Sequence, residues 1–179
     1  VMGRGVQAAA QMGQVRAALR AYAGQDLPPA EVLTHADELI QGLAEDMIVT
    51  CVYGVYDPRE ARIVLSNAGH VPPLLMDRPR RAADGPRVPA PRRPREQQGV
   101  TRIDADGPPL GAAGSTPYGY VTVDLAPEQT LALYTDGLVE SRESDLDTGI
   151  DLLTAAVRNA RGDLEAVCDS ILTRIAPAG

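Results

Sequence analysis

Three short segments of the sequence carry side chains that could do chemistry. Thr135-Asp136-Gly137 follows the apolar run Thr130–Tyr134, so it places a carboxylate where a buried strand emerges. Such a carboxylate is a hard oxygen ligand that suits Mg²⁺ or Mn²⁺. An Asp-Gly pair is also typical of a hairpin turn. The residues alone leave both interpretations of Asp136 and Gly137 open.

A second segment, Gly3-Arg4-Gly5, opens the first predicted helix. Glycines let backbone N–H groups approach an anion closely, while a helix N-terminus and Arg4 supply positive potential, so this spacing suits a phosphate. A glycine pair at a helix start can equally be a simple turn.

The third segment, Asn67-Ala68-Gly69-His70, ends a predicted strand. Asn and Gly both tolerate positive φ, which predicts a sharp turn there. His70 is then either a general acid or a hydrogen-bonded turn residue. The sequence supports no Ser-His-Asp or Cys-His pairing, and Cys168, on an apolar stripe of its helix, is predicted to be a core residue.

These segments are set among helices and strands. The period of apolar residues predicts a helix over 6–23, a second from the proline pair at 28–29 to residue 43, and two more over 147–160 and 163–175. Runs at 47–56 and 61–66 predict a hairpin, 73–77 a further short strand, and 118–125 with 130–135 a second hairpin-like pair. This order of elements predicts an α+β fold with helices layered on antiparallel sheet.

Composition limits the function. The chain has 179 residues, the size of one domain, and its 44% hydrophobic content fits a soluble globular protein. A net charge of −7 argues against nucleic acid as a partner, and no apolar run is long enough for a membrane helix. The two cysteines, Cys51 and Cys168, form no close-spaced pair, which indicates the cytoplasm.

Arginine is unevenly distributed along the chain. Eight of the 17 arginines lie between Arg78 and Arg102, with only Asp84 and Glu96 as acids and five prolines among them. With so few large apolar side chains, the stretch cannot offset the entropy of ordering. We therefore expect a flexible Arg/Pro-rich insertion at about residues 77–107, which is either a spacer or a site for an anionic partner.

Four ordered blocks of the sequence resemble the SpoIIE-type metal-dependent serine/threonine phosphatases, relatives of the protein phosphatase 2C (PPM) family. The blocks are Val1-Met2-Gly3-Arg4-Gly5-Val6-Gln7-Ala8-Ala9, Asn67-Ala68-Gly69-His70-Val71-Pro72-Pro73-Leu74-Leu75, Gly107-Pro108-Pro109-Leu110-Gly111 and Leu133-Tyr134-Thr135-Asp136-Gly137-Leu138-Val139-Glu140. The resemblance implies a four-layer α/β/β/α sandwich of antiparallel sheets. It also implies two Mn²⁺ or Mg²⁺ ions that activate a water against a phosphoserine or phosphothreonine, typically of an anti-anti-sigma-factor protein.

The resemblance assigns roles to single residues. Asp136 matches a metal-ligand aspartate, and Val1 matches the residue whose backbone carbonyl binds the second metal. Gly3, Arg4 and Gly5 are candidates for phosphate or substrate binding, although the family commonly has His where Arg4 stands. Asn67, Gly69, His70 and Gly137 are expected beside the active site.

The resemblance also indicates what this chain lacks. The family's bridging aspartate lies immediately before the position of Val1, and its terminal Asp-Asp block would follow Gly179. We therefore expect a phosphatase domain that is incomplete at both ends and inactive by itself, within a parent protein that is active. The alternative is an inactive phosphatase-fold module that docks a sigma-factor regulator. Accessory sensor domains and a homodimer stay open.

Overall fold

The computed structural model describes residues 5–43, 47–77, 99–112, 114, 116–140 and 145–175. Its five helices and six strands are α1 Val6–Ala23, α2 Pro29–Leu43, β1 Cys51–Asp57, β2 Arg62–Ala68, β3 Leu74–Asp77, β4 Val100–Arg102, β5 Val121–Asp124, β6 Gln129–Ala132, α3 Asp136–Val139, α4 Leu146–Asn159 and α5 Leu164–Ile175. All paired strands are antiparallel. The predicted α+β class with antiparallel sheets is therefore confirmed.

The elements divide into two compact units. Unit 1 comprises Val1–Pro72 and Asp104–Leu125, and unit 2 comprises Pro73–Ile103 and Ala126–Gly179. Each unit has its own three-stranded sheet and its own hydrophobic core.

Unit 1 is built on the predicted hairpin of β1 and β2, with β5 on the other side of β2. The hairpin turn is closed by Asp57, whose Oδ1 accepts hydrogen bonds from the backbone N–H groups of Arg59 and Glu60. Helix α2 packs on β1 and β2 and in turn carries α1. Its regular apolar period buries one face, as the sequence predicts, and Leu33 and Ile40 are fully buried there.

Unit 2 has β3 at the centre of its sheet, between β4 and β6. Helix α4 packs on this sheet, and both α3 and α5 pack on α4. The most buried side chains of the core are those of Leu74, Ile150, Leu153 and Val157. This arrangement holds the short α3, and with it Asp136, against the first turns of α4.

The second predicted hairpin is wrong. β5 pairs with β2 through Leu65 and Val121, whereas β6 pairs with β3 through Leu75 and Leu131, so the two runs belong to different sheets. Each strand has only four residues, too few to make a stable pair alone. Their partners are set by burial against distant strands, which a local pattern does not contain.

The insertion predicted over 77–107 extends too far at both ends. Asp77 ends β3, and Val100 begins β4, whose β-branched residues pair with β3. The Asp77 carboxylate accepts hydrogen bonds from Gly99 N–H and from Gln129 Nε2, which fixes both ends of the segment at the sheet. Residues 78–98 lie outside the described residues, so neither role considered for the insertion is tested.

Cys168 is exposed rather than in the core. Helix α5 packs on α4 and buries Val167 and Ile171, while Leu164 and Leu172 remain more than half exposed. The predicted apolar stripe is therefore wider than the face that α4 covers. None of the described helices is both long and apolar enough to span a bilayer.

Candidate functional site

The Asn67–His70 segment forms the predicted sharp turn in unit 1. The Asn67 side chain closes it from both sides, because Nδ2 donates to the His70 carbonyl at 2.9 Å and Oδ1 accepts from the His70 N–H at 2.8 Å. Gly69 has φ +63°, a conformation that favours glycine. His70 Nδ1 lies 3.1 Å from the Thr50 hydroxyl, so the imidazole is oriented by a residue that the sequence did not single out.

The Gly107–Gly111 segment, called here the 107–111 loop, packs directly on this turn. A Cβ at Gly69 would lie 2.6 Å from Cγ of Pro109, and a Cβ at Gly107 would lie 2.3 Å from the Asn67 carbonyl oxygen. Both contacts are too close for a side chain, which explains why glycine stands at each position. The blocks that begin at Asn67 and Gly107, 40 residues apart in the sequence, are therefore in direct contact through their backbones and the Pro109 ring.

A buried carboxylate on α2 anchors the far end of the 107–111 loop. Asp37 is 4% exposed, and its Oδ1 accepts from Gly111 N–H at 2.6 Å while its Oδ2 accepts from Gln41 Nε2 at 2.5 Å. Gly111 has φ +87°, and a Cβ there would collide with the Met47 carbonyl. The sequence did contain a signal for this anchor, because an acid within a buried apolar stripe needs a partner.

Two titratable groups lie beside this anchor. The buried hydroxyl of Tyr118 has no hydrogen-bond partner of acceptable geometry among the described residues, although the Asp37 carboxylate is near enough to interact with it. Burial, reinforced by that negative charge, raises the Tyr118 pKa well above its usual range. Burial also raises the pKa of the Cys51 thiol to about 11, so Cys51 is not a ready nucleophile at neutral pH.

The glycine segment at the start of α1 is only partly described. Val1, Gly3 and Arg4 lie outside the described residues. Gly5 is the N-cap residue of α1, has φ +87° and is exposed, and its carbonyl accepts the first helical hydrogen bond from Ala9 N–H at 3.1 Å. A glycine is thus required by the backbone at this helix start, and the phosphate role stays a prediction.

Asp136 and Gly137 lie in unit 2, where they begin α3 instead of a hairpin turn. The Asp136 carboxylate is exposed, and its Oδ1 accepts from Gly137 N–H at 2.8 Å. The backbone carbonyl of Asp136 accepts from Glu140 N–H at 2.7 Å, which closes the single helical turn. The side chain therefore projects from a short, hydrogen-bonded segment that residues 133–135 separate from β6.

Asp136 fits a divalent cation as one ligand. Its Oδ2 makes no hydrogen bond to the described part of the chain, so a hard carboxylate oxygen is available in an exposed position. Within the described ranges, no three His, Cys, Asp or Glu side chains lie close enough together to hold a metal ion. The described residues thus supply one ligand and do not complete a metal site.

The family model described as "Stage II sporulation protein E (SpoIIE)" matches residues 1–179. No curated protein sequence gives a significant match.

Solved structures resemble the chain over nearly its whole length. The RsbU and RsbW domains of a Mycobacterium tuberculosis protein match 100% of the chain at 25% identity, with a TM-score of 0.77. The SiaA PP2C domain of Pseudomonas aeruginosa matches 99% at 17% identity, with a TM-score of 0.67. The SpoIIE PP2C phosphatase domain of Bacillus subtilis, solved with part of its regulatory domain, matches 90% at 11% identity, with a TM-score of 0.62. The chain spans 46%, 66% and 44% of these three chains, respectively.

Proposed function

The chain belongs to the SpoIIE family, and we therefore propose that it is part of a metal-dependent phosphatase that dephosphorylates serine or threonine in a regulatory phosphoprotein. The single observation that carries this proposal is the exposed Asp136 carboxylate, held at the start of α3 within a chain that matches the family along its whole length. The fold is that of PP2C-type phosphatase domains, which supports phosphatase activity in general.

We assign the residues of the chain separate parts in this reaction. Asp136 would bind one Mn²⁺ or Mg²⁺, and the Val1 carbonyl is our candidate ligand for a second. Two such ions, when bound, lower the pKa of a water and neutralise charge on phosphoryl oxygens. Gly3, Arg4 and Gly5 are proposed to bind the phosphate or substrate at the start of α1.

The Asn67–His70 turn is proposed to border the active site. Its backbone is fixed by the Asn67 side chain and by the 107–111 loop, so it can present His70 in one orientation beside Thr50. A pre-ordered turn of this kind can orient a phosphoprotein without reorganising during the reaction. Gly137 is also proposed to lie beside the active site, because its N–H donates to the Asp136 carboxylate and orients it.

The proposed substrate is a phosphoprotein of the anti-anti-sigma-factor type. RsbU and SpoIIE domains are among the solved structures that the chain resembles, which supports a bacterial regulatory partner. The net charge of −7 does not favour nucleic acid. We place the reaction in the cytoplasm, in agreement with two cysteines that are both free.

The test is phosphate release by the full-length protein. A phosphoserine anti-anti-sigma-factor protein is incubated with the enzyme and Mn²⁺, and we compare wild type with Asp136→Asn. The matched control is Asp169→Asn, because Asp169 is an exposed aspartate on α5 of the same unit. We expect Asp136→Asn to lose at least about 100-fold in turnover and Asp169→Asn to stay at the wild-type rate. Turnover that does not depend on Asp136 would reject the proposal.

A second candidate is a docking module without catalysis. It is favoured by one observation, that the described residues contain no group of three metal ligands. Such a module would bind the sigma-factor regulator with the same affinity in wild type and Asp136→Asn. Equal binding combined with no phosphate release from either protein would support this alternative.

A further inference from the structure

Helix α4 approaches α3 more closely than side chains normally permit. A Cβ placed on Gly149 would lie 1.8 Å from the Val139 carbonyl oxygen, 2.7 Å from its carbonyl carbon and 3.1 Å from its Cα. All three atoms belong to the backbone, so no side-chain rotation could make room. Gly149 is also buried.

The backbone conformation of Gly149 does not require glycine. The residue lies in the first turns of α4 and is not among the glycines with positive φ. Glycine is a poor helix former, and an alanine would favour α4. The observation that accounts for glycine here is therefore the close approach of the Val139 backbone.

Val139 is held on two sides. Its side chain is 4% exposed and packs in the unit 2 core with Ile150 and Leu153. Its backbone carbonyl lies against Gly149. These two contacts together fix the position of Val139, the last residue of α3. Because α3 is a single turn from Asp136 to Val139, a shift of Val139 is passed to Asp136 through the 2.7 Å hydrogen bond from Glu140 N–H to the Asp136 carbonyl.

We propose that Gly149 is a positioning residue for the Asp136 carboxylate: the missing side chain on α4 sets how closely α3 can approach, and thereby where Asp136 presents its ligand oxygen. This inference rests on the proposed function, in which Asp136 binds a metal ion. It adds a residue of another helix, 13 positions along the chain, that touches neither metal nor substrate.

The experiment compares Gly149→Ala with Val167→Ala in the full-length protein. Val167 is 4% exposed in the same core and lies on α5, which packs on α4, so its truncation destabilises unit 2 without adding an atom against α3. Mn²⁺ affinity is measured by calorimetry, and hydrogen exchange at the Glu140 amide is measured without metal. We expect Gly149→Ala to weaken Mn²⁺ binding about tenfold or more and to speed Glu140 exchange. Val167→Ala should lower the melting temperature and keep Mn²⁺ affinity within about twofold.

The outcomes separate this inference from the proposed function. Wild-type Mn²⁺ affinity and unchanged Glu140 exchange in Gly149→Ala would overturn the positioning role, even if Asp136→Asn abolishes metal binding. If wild type itself binds no Mn²⁺, the proposed function fails, while Glu140 exchange still reports whether Gly149 places α3.

A second variant covers the case in which Gly149→Ala does not fold. Val139→Ala removes the side chain that holds α3 in the unit 2 core, and it adds no atom to the contact between the Val139 backbone and Gly149. We expect it to fold and to weaken Mn²⁺ binding. Wild-type Mn²⁺ affinity in Val139→Ala would overturn the proposal.

Discussion

Removal of the Asp37 side chain should destabilise unit 1 by about 2–3 kcal/mol. In Asp37→Ala the partly buried N–H of Gly111 loses its charged acceptor, and a hydrogen bond to a charged group contributes about 1.5–3 kcal/mol. The Gln41 amide also loses a partner, but Gln41 is exposed and water can replace it. For a protein of this size each kcal/mol lowers the melting temperature by about 2–4 °C, so we expect a fall of about 4–12 °C.

Two control variants test whether the loss of stability comes from the hydrogen bond between Asp37 and Gly111. Asp37→Asn keeps an acceptor oxygen for Gly111 N–H, so it should cost about 1 kcal/mol or less. Glu38→Ala changes the neighbouring acid on α2, which is exposed and pairs only with His35 in the described part of the chain, so it should stay within about 0.5 kcal/mol of wild type.

The assay is urea unfolding followed by far-UV circular dichroism, because the protein has no tryptophan. For Asp37→Ala we expect a lower urea midpoint and an unchanged dependence of the unfolding free energy on urea concentration, because the surface exposed on unfolding stays the same. If Asp37→Ala and Glu38→Ala shift the midpoint equally, the carboxylate does not hold the 107–111 loop and this reasoning is refuted.

Three further predictions concern single residues. Gly69→Ala should lower the free energy of unfolding in urea by about 2–4 kcal/mol, because it combines positive φ with a collision against the Pro109 ring. Its control, Gly114→Ala, also has positive φ but meets open space, so it should lower the free energy of unfolding by about 1–2 kcal/mol. With a thiol reagent at pH 8, exposed Cys168 should react quickly and Cys51 slowly, because burial raises the Cys51 pKa to about 11. Equal reaction rates in Cys51→Ser and Cys168→Ser, each of which keeps one of the two thiols, would contradict this. The free energy of unfolding should fall as the pH rises above about 10, because Tyr118 then ionises in the unfolded chain while the folded state keeps it protonated. If Tyr118→Phe shows the same fall, Tyr118 is not its cause.

The sequence predicts those elements whose signals are local. The apolar period of α2 and the turn residues after β1 are contained in short windows, and both elements form where they were expected. The placement of Asn67 and Gly69 in a sharp turn is local in the same sense, because an Asx side chain and a positive φ act within four residues.

The remaining features depend on distant parts of the chain. β6 pairs with β3 across 52 residues at Asp77 and Gln129, so no hairpin rule could assign it. Gly149 looks like an ordinary, unfavourable helix residue until α3 is placed against it. Cys168 has the spacing of a core position, and only the width of the α4 contact shows that it is exposed.

Direct titration of Mn²⁺ into the metal-free full-length protein tests the central claim, that Asp136 is a metal ligand. Isothermal titration calorimetry on wild type, Asp136→Asn and Asp169→Asn gives the three affinities under one condition. We predict saturable binding to wild type and Asp169→Asn, and an affinity at least about 100-fold weaker for Asp136→Asn. Equal Mn²⁺ affinities in all three proteins would contradict the account.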